Sequence, residues 1–356
     1  MSAKDFEIFN KDILSRLPGV GDAEVTEEEN RMAKQVGRRF FTTLGTHTTT
    51  SEPEISIPGS FGHYRIFNYH VDHPTFKAGD AEIERKLDAV HRAGSSGNSM
   101  VVAALPTMGL EDQPICEGEK ILVFLNGGGF ATSDTPLSKW LYLRLSRELS
   151  SQRVFVPRYS TIPQSVFPRA LYDTYTAYLY LVEKGFRPGD ITFVAVSAGC
   201  NLAMATMLLL QMNQREVPRG CILISPLLDL TTRHGSWTRN QEHCVLPYVS
   251  LENSKCLARV YYGDGENQED FAKKMENPLV SPFYGTAEGL PRMQIHVGEC
   301  EVLLDEATDF ASKVRAQGGC AELLVYPNTN HYTIMRGKTQ LDKLYGAMQR
   351  FIEAEK

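Results

Sequence analysis

No stretch of this 356-residue sequence approaches the roughly 18 consecutive apolar residues of a membrane-spanning helix, so no transmembrane segment is expected. Basic blocks are missing too. The net charge is −6, and an acidic surface without basic patches is a poor match for nucleic acid or an anionic membrane. None of the seven cysteines falls in a C-x-x-C pair, which removes the spacing of zinc and redox motifs. Their odd count and scatter favour reduced thiols and a cytoplasmic location. Lys4, Asp5, Glu7 and Lys11 break up the N-terminus and no apolar segment follows, so it does not read as a secretory signal. No histidine or carboxylate pair has ligand spacing, so no metal is expected. The first core strand is not followed by the dinucleotide fingerprint, which argues against a nicotinamide enzyme. No cofactor is expected. What is present is ordinary: 42% apolar and 22% charged residues, enough for a full core in one large α/β domain with a cap, or in two ordinary domains.

Residues 5–45 have apolar spacing that predicts an amphipathic helix. Thr46 to Pro58 reads as an exposed crossing. Residues 54–59 and 62–71 are expected to form a strand pair around Gly59, 78–93 a helix, and 94–99 a flexible loop; 94–118 as a whole has no firm reading. From 119 onward short apolar runs alternate with helical ones. Strands are expected at 121–125, 154–157, 191–196, 220–225, 293–297 and 322–326. Helices are expected at 137–149, 168–184, 198–212, 303–317 and 339–354. Continuous apolar strands alternating with helices predict an α/β fold with a mostly parallel central sheet covered on both faces. The interval 230–290 is too long for a plain connection and is expected to carry extra helices.

Three features point to chemistry. V-A-V-S-A-G-C-N at 194–201 places Ser197 between a buried strand and a helix, where a serine is lifted clear of the sheet beside free backbone N–H groups. The same residues also fit an ordinary strand–turn–helix junction with a capping serine. L-N-G-G-G-F at 125–130 follows the first core strand. Its glycines let backbone N–H groups turn toward a developing oxyanion. A flexible turn is the bland alternative, and a phosphate loop lacks its lysine. His331 follows the last strand and Glu301 the one before it. A serine needs a base and the base an orienting carboxylate, and Ser197, Glu301, His331 is the chain order of a serine hydrolase on such a sheet.

With these segments in view, residues 119–354 resemble the hormone-sensitive-lipase-like branch of the α/β-hydrolases, which includes bacterial esterases, arylacetamide deacetylases and plant carboxylesterases. The family's H-G-G-G is similar to Asn126, Gly127, Gly128 and Gly129. Its Y-R-L-A-P-E stretch resembles 159–173, its G-D-S-A-G-G-N-L resembles 195–202, and its S-P-x-x-D-L matches Ser225, Pro226, Asp229 and Leu230. Its D-P-L-x-D resembles E-V-L-L-D at 301–305. Residues 1–118 match loosely, and the loop near 72–118 is longer than usual. The resemblance implies an N-terminal helical cap over 1–50 and a hydrolase domain over 51–356 with a cap insertion at about 230–290. It implies Ser197 as nucleophile, His331 as base and Glu301 as acid, with Asp305 and Asn126 supporting. Gly127, Gly128 and Ala198 would supply the oxyanion hole. The implied activity is cleavage of a short-acyl or acetyl ester of a small molecule. Homodimers are frequent in the family, and nothing in the sequence decides the matter here.

Three departures lie at the reacting centre: Asn126 for histidine, Ala195 for glycine, and Val196 for a polar residue. They leave open acyl transfer, or a lyase or cyclisation step, on the same fold. A ligand receptor is the third alternative, but receptors of this family have lost the histidine that is kept here as His331. Asp229 occupies a position that is structural in the family. His296 reads as a core histidine and His234 and His243 as insert residues at the surface. Trp237, Tyr248, Tyr261 and Tyr262 read as insert packing, and Cys200 as a buried small residue.

Overall fold

The computed structural model describes residues 63–69, 75–93, 98–104, 118–132, 142, 145, 148–149, 153–162, 164–243, 251–263, 268–331, 333–335 and 338–354. The helix expected at 5–45, the crossing at 46–58, the strand at 54–59, the cap segment 1–50, residues 105–117 and most of 137–149 lie outside them.

Eight strands form one sheet in the order β1-β2-β4-β3-β5-β6-β7-β8. These are β1 (His63–Tyr69), β2 (Asn98–Ala104), β3 (Ile121–Leu125), β4 (Arg153–Arg158), β5 (Ile191–Val196), β6 (Gly220–Ile224), β7 (Arg292–Gly298) and β8 (Ala321–Tyr326). β1 and β2 are antiparallel, and β2 meets β4 antiparallel; the remaining pairs are parallel. Every residue of β3, β5 and β6 is buried, which is why these strands read as unbroken apolar runs rather than alternating ones. The edge strand β8 is half exposed along its middle.

One expectation is corrected. Residues 94–99 are expected to be a loop; the expected pairing of 62–71 with 54–59 falls on residues outside those described. The partner of β1 is β2, with Tyr69 opposite Asn98 and His63 opposite Ala104, so residues 98 and 99 belong to a strand. The small polar run before them reads as a turn by composition, and a long-range ladder overrides that local preference.

The helices are α1 (Ala81–Arg92), α2 (Arg169–Glu183), α3 (Ala198–Met212), α4 (Leu251–Tyr262), α5 (Gln268–Met275), α6 (Leu304–Ala316) and α7 (Lys338–Glu353), with a short helical turn at Ser236–Arg239. Asp80 caps α1 by accepting from the N–H groups of Glu82 and Ile83 at 2.9 and 3.2 Å. α3 is buried from Ala198 through Leu210 and joins α2 through the Thr174–Thr206 hydroxyl pair at 2.8 Å. The interval 230–290 carries the short turn, α4 and α5, as its length requires. No helix among the described residues is long and apolar enough to cross a membrane.

A buried carboxyl lies beneath the insert. Glu306 accepts from the Leu228 N–H at 2.6 Å and from Trp237 Nε1 at 3.3 Å. Burial pushes its pKa up to about 8 from an ordinary 4.5, against the lowering effect of the Leu228 N–H. A carboxyl raised in this way favours the folded state while it is protonated. That contribution is complete below the ordinary value and is lost as pH rises through about 8. Thermal melts across this window are expected to show the wild-type Tm falling more steeply than that of Glu306→Gln. Parallel slopes would show that Glu306 does not titrate there.

Candidate active site

The strand register brings the C-terminal ends of β3, β5, β6, β7 and β8 to one edge of the sheet, since Leu125 faces Ala195, Val196 faces Ile224, Ile224 faces His296 and Gly298 faces Tyr326. Ser197 is the residue between β5 and α3. Its φ of 53° and ψ of −119° are unusual for a side-chain-bearing residue and mark a sharp strand-to-helix turn. The turn is held from both sides: the Ser197 N–H donates to the Ile224 carbonyl at 2.9 Å, and the Cys200 N–H donates to the Ser197 carbonyl at 2.9 Å.

Gly199 explains the need for a small residue after the serine. A Cβ at this position would overlap the carbonyl oxygens of Leu125 and Asn126, the latter at 2.6 Å. These are backbone atoms at the root of the glycine loop, so they cannot swing aside. Gly199→Ala is expected to cost about 1–3 kcal/mol of stability, read by urea unfolding, and to lower activity by pushing the loop away from Ser197. An unchanged midpoint would show that the helix can shift freely.

Gly127 rests against the turn, with its missing Cβ only 3.1 Å from the Val196 carbonyl and 3.2 Å from Ser197 Cβ. Gly128 has φ 122° and Gly129 φ 58°, values that favour glycine. Asn126 is 1% exposed, and its carbonyl accepts from the Tyr159 hydroxyl at 2.7 Å. No hydrogen bond among the described residues occupies the N–H groups of Gly127, Gly128 or Ala198. The insert docks on this loop. Phe130 stacks on Tyr261 of α4 with centroids 3.8 Å apart, and a Cβ on Gly129 would meet Leu257 at 3.0 Å.

Glu301 and His331 meet across the β7 and β8 loops. His331 Nδ1 donates to Glu301 Oε2 at 2.7 Å. A carboxylate only accepts, so this bond puts the hydrogen on Nδ1 and leaves Nε2 as the acceptor. Both residues are buried. Glu301 Oε1 accepts from Ser225 Oγ at 2.6 Å and from the Gly298 N–H at 2.7 Å. Asn240 Nδ2 donates to the Glu301 carbonyl at 2.7 Å. The loops themselves are joined by the Cys300 N–H donating to the Thr329 carbonyl at 2.9 Å.

Two expected placements are corrected. Among the described residues no hydrogen bond or ion pair joins Asp305 to Glu301 or His331. Asp305 Oδ2 accepts from the Ser236 N–H at 2.8 Å, and its Oδ1 accepts from Arg239 Nη2 at 2.6 Å, so it anchors the insert. Asp305 sits one helical turn beyond Glu301, in the first turn of α6, and there it faces the insert. His234 is not a surface residue. Its side chain is 10% exposed and lies between Asp229 and Asp309 at 3.2 Å from each. Burial disfavours its charged form, but the close contact with Asp229 and the surrounding carboxylates outweigh this and raise its pKa.

The readings of Asp229, His296 and Cys200 hold, and Tyr248 lies outside the described residues. Asp229 engages the Thr231 N–H at 2.8 Å and His234 rather than His331. His296 is fully buried between the Tyr326 hydroxyl at 2.8 Å and Gln294 Oε1 at 2.9 Å, and burial lowers its pKa to about 3. Cys200 is buried, and burial raises its thiol well above the ordinary range. Val196 faces an apolar layer that includes Phe124, Ile224 and Ile334, which accounts for an apolar residue before the serine. Two residues in contact with Glu301 carried no distinguishing signal in the sequence: Asn240, and Ser225, which appeared only as a strand-end motif.

Comparison with known proteins agrees with the α/β-hydrolase fold. Residues 122–335 match the family described as the alpha/beta hydrolase fold, and the chain belongs to that family. It is 31% identical over 194 residues to an esterase of Acinetobacter venetianus, covering 54% of this chain and 61% of that one. It is 30% identical over 195 residues to an acetyl-hydrolase of Streptomyces hygroscopicus, covering 55% of this chain and 62% of that one. The chain therefore spans about three fifths of the length of these two relatives. A crystal structure of a hormone-sensitive lipase from a metagenome library superposes with TM-score 0.62 at 25% identity, covering 77% of this chain and 94% of the other. An esterase of the bacterial hormone-sensitive lipase family shares the fold with TM-score 0.64 at 19% identity, covering 98% and 97%. The resemblance to the hormone-sensitive-lipase-like branch is borne out by these relatives.

Proposed function

We propose that this chain is a serine hydrolase that cleaves a short-acyl or acetyl ester of a small molecule through an acyl-enzyme. The observation that carries the reading is the buried His331–Glu301 pair at 2.7 Å, which leaves Nε2 as a base on the sheet edge where Ser197 turns out of β5. Ser197 Oγ attacks the acyl carbon and its proton passes to His331 Nε2. The carboxylate of Glu301 stabilises the imidazolium that forms. The N–H groups of Gly127, Gly128 and Ala198 hold the oxyanion, each donor worth about two to three orders of magnitude in rate. The leaving alcohol takes the proton from His331. Water then attacks the acyl-enzyme with His331 again as base, and the acid departs.

The names of the matching esterase and acetyl-hydrolase support this substrate class. The docking of α4 on the glycine loop supports the insert at 230–290 as a cap. Cys200, Cys221, Cys300 and Cys320 are free thiols, which supports a cytoplasmic setting.

The test is a panel of p-nitrophenyl esters from acetate to dodecanoate, run with and without an acceptor alcohol, alongside labelling by a fluorophosphonate. Turnover is expected to be highest on the short esters, with free acid as the product and Ser197 labelled. A folded protein that turns over no ester and leaves Ser197 unlabelled sinks the reading. A new ester appearing with the acceptor would move it to acyl transfer.

A further inference from the structure

The turn after β6 touches both the serine and the acid of the proposed triad. Ser225, its first residue, is fully buried with a φ of 50°, a backbone conformation that side chains resist and glycine accepts. Its N–H donates to the His296 carbonyl at 2.7 Å, which fixes it against β7. Its hydroxyl donates to Glu301 Oε1 at 2.6 Å. On either side of it, the Ile224 carbonyl accepts from the Ser197 N–H at 2.9 Å, and the Leu227 N–H donates to the Ser197 carbonyl at 3.3 Å. Residues 224–227 therefore grip the backbone of the serine and the carboxylate of the acid together.

We infer that Ser225 is a positioning residue: it holds Oε1 of Glu301 so that Oε2 is presented to His331. The inference rests on the reading of Ser197, Glu301 and His331 as a hydrolytic triad. Rotation of a glutamate carboxylate about its last bond is soft. The Gly298 N–H at 2.7 Å marks one direction on Oε1, and the Ser225 hydroxyl supplies the second, so the two together lock the plane. A strained residue kept at such a point is what a working site retains and a purely structural turn replaces with glycine. Glutamate has one more rotatable bond than aspartate, so it has more need of a second anchor.

The test compares Ser225→Gly and Ser225→Ala. Glycine relieves the left-handed backbone, so Ser225→Gly is expected to keep the wild-type Tm while losing the hydroxyl. Its kcat is expected to fall about 10- to 100-fold, the usual weight of a hydrogen bond to a charged group, with KM unchanged. Placed in a Glu301→Gln background, Ser225→Gly is expected to cost little further, because its effect runs through the carboxylate. The downfield proton resonance of His331 Nδ1 is expected to move in both single variants.

Wild-type kcat in both variants, or an equal further loss in the Glu301→Gln background, would overturn the proposal. An unmoved Nδ1 resonance would also overturn it, whether or not any ester is turned over. A moved resonance in a protein that hydrolyses no ester and resists the phosphonate would instead remove the hydrolase reading and leave the positioning role standing.

Discussion

Ser197→Ala is expected to lower kcat on the best p-nitrophenyl ester by about four to six orders of magnitude, with KM and Tm close to wild type. The variant removes one oxygen. Alanine meets the same φ of 53° that serine already bears, so the turn keeps its shape and its cost. The bonds that hold the turn run through the Ser197 backbone to Ile224 and Cys200, and alanine keeps them. The oxyanion donors also remain, and such donors sustain a residual rate of about 10³–10⁴ over water. The assay must therefore be paired with active-site titration, since a trace of wild-type enzyme would mask the residue. A loss below about tenfold would move the nucleophile elsewhere. Cys200 could not replace it, because its thiol is buried and held in the neutral form.

Glu301→Gln is expected to cost about four orders of magnitude in kcat although it changes only one atom. The reason lies in what Oε1 must do. It accepts from the Gly298 N–H at 2.7 Å, and a backbone N–H cannot turn round to accept. The amide oxygen of glutamine is thereby held on that side, and its NH₂ faces His331. Nδ1 must then accept instead of donate, which puts the hydrogen on Nε2. An imidazole in that tautomer cannot take a proton from Ser197. The measurement is kcat on the preferred ester, together with the nitrogen chemical shifts of His331, which report the tautomer directly. A variant with near wild-type kcat would show that the carboxylate neither orients nor stabilises the imidazole.

The parallel part of the sheet was legible because burial on both faces leaves a simple mark. The strand at 191–196 and the helix at 198–212 fall where the apolar runs place them, to the residue. At the antiparallel end β1 falls within the strand expected at 62–71, but β2 was not legible. β2 is recognised by the register of β1 against it, a relation between residues some thirty-five positions apart that local composition does not carry. The serine, the acid and the histidine stood out through their places after successive strands. What lies one contact further did not. Asp305, four residues beyond Glu301, was read as its companion, yet helix geometry turns it toward Ser236 and Arg239. Asn240 and Ser225 are small polar residues at element ends, where capping, turning and hydrogen bonding all use the same residue types. Only the folded chain separates these uses.

The two left-handed serines have a consequence for anyone who engineers this scaffold. At positions 197 and 225 the backbone itself prefers glycine. A library screened on heat tolerance alone is therefore rewarded for substitutions at the two places where a hydroxyl matters most, and its winners would be robust and inert. Screening for survival and turnover together keeps both serines. Sites where thermal gain is free of this conflict are to be sought away from the sheet edge that carries them.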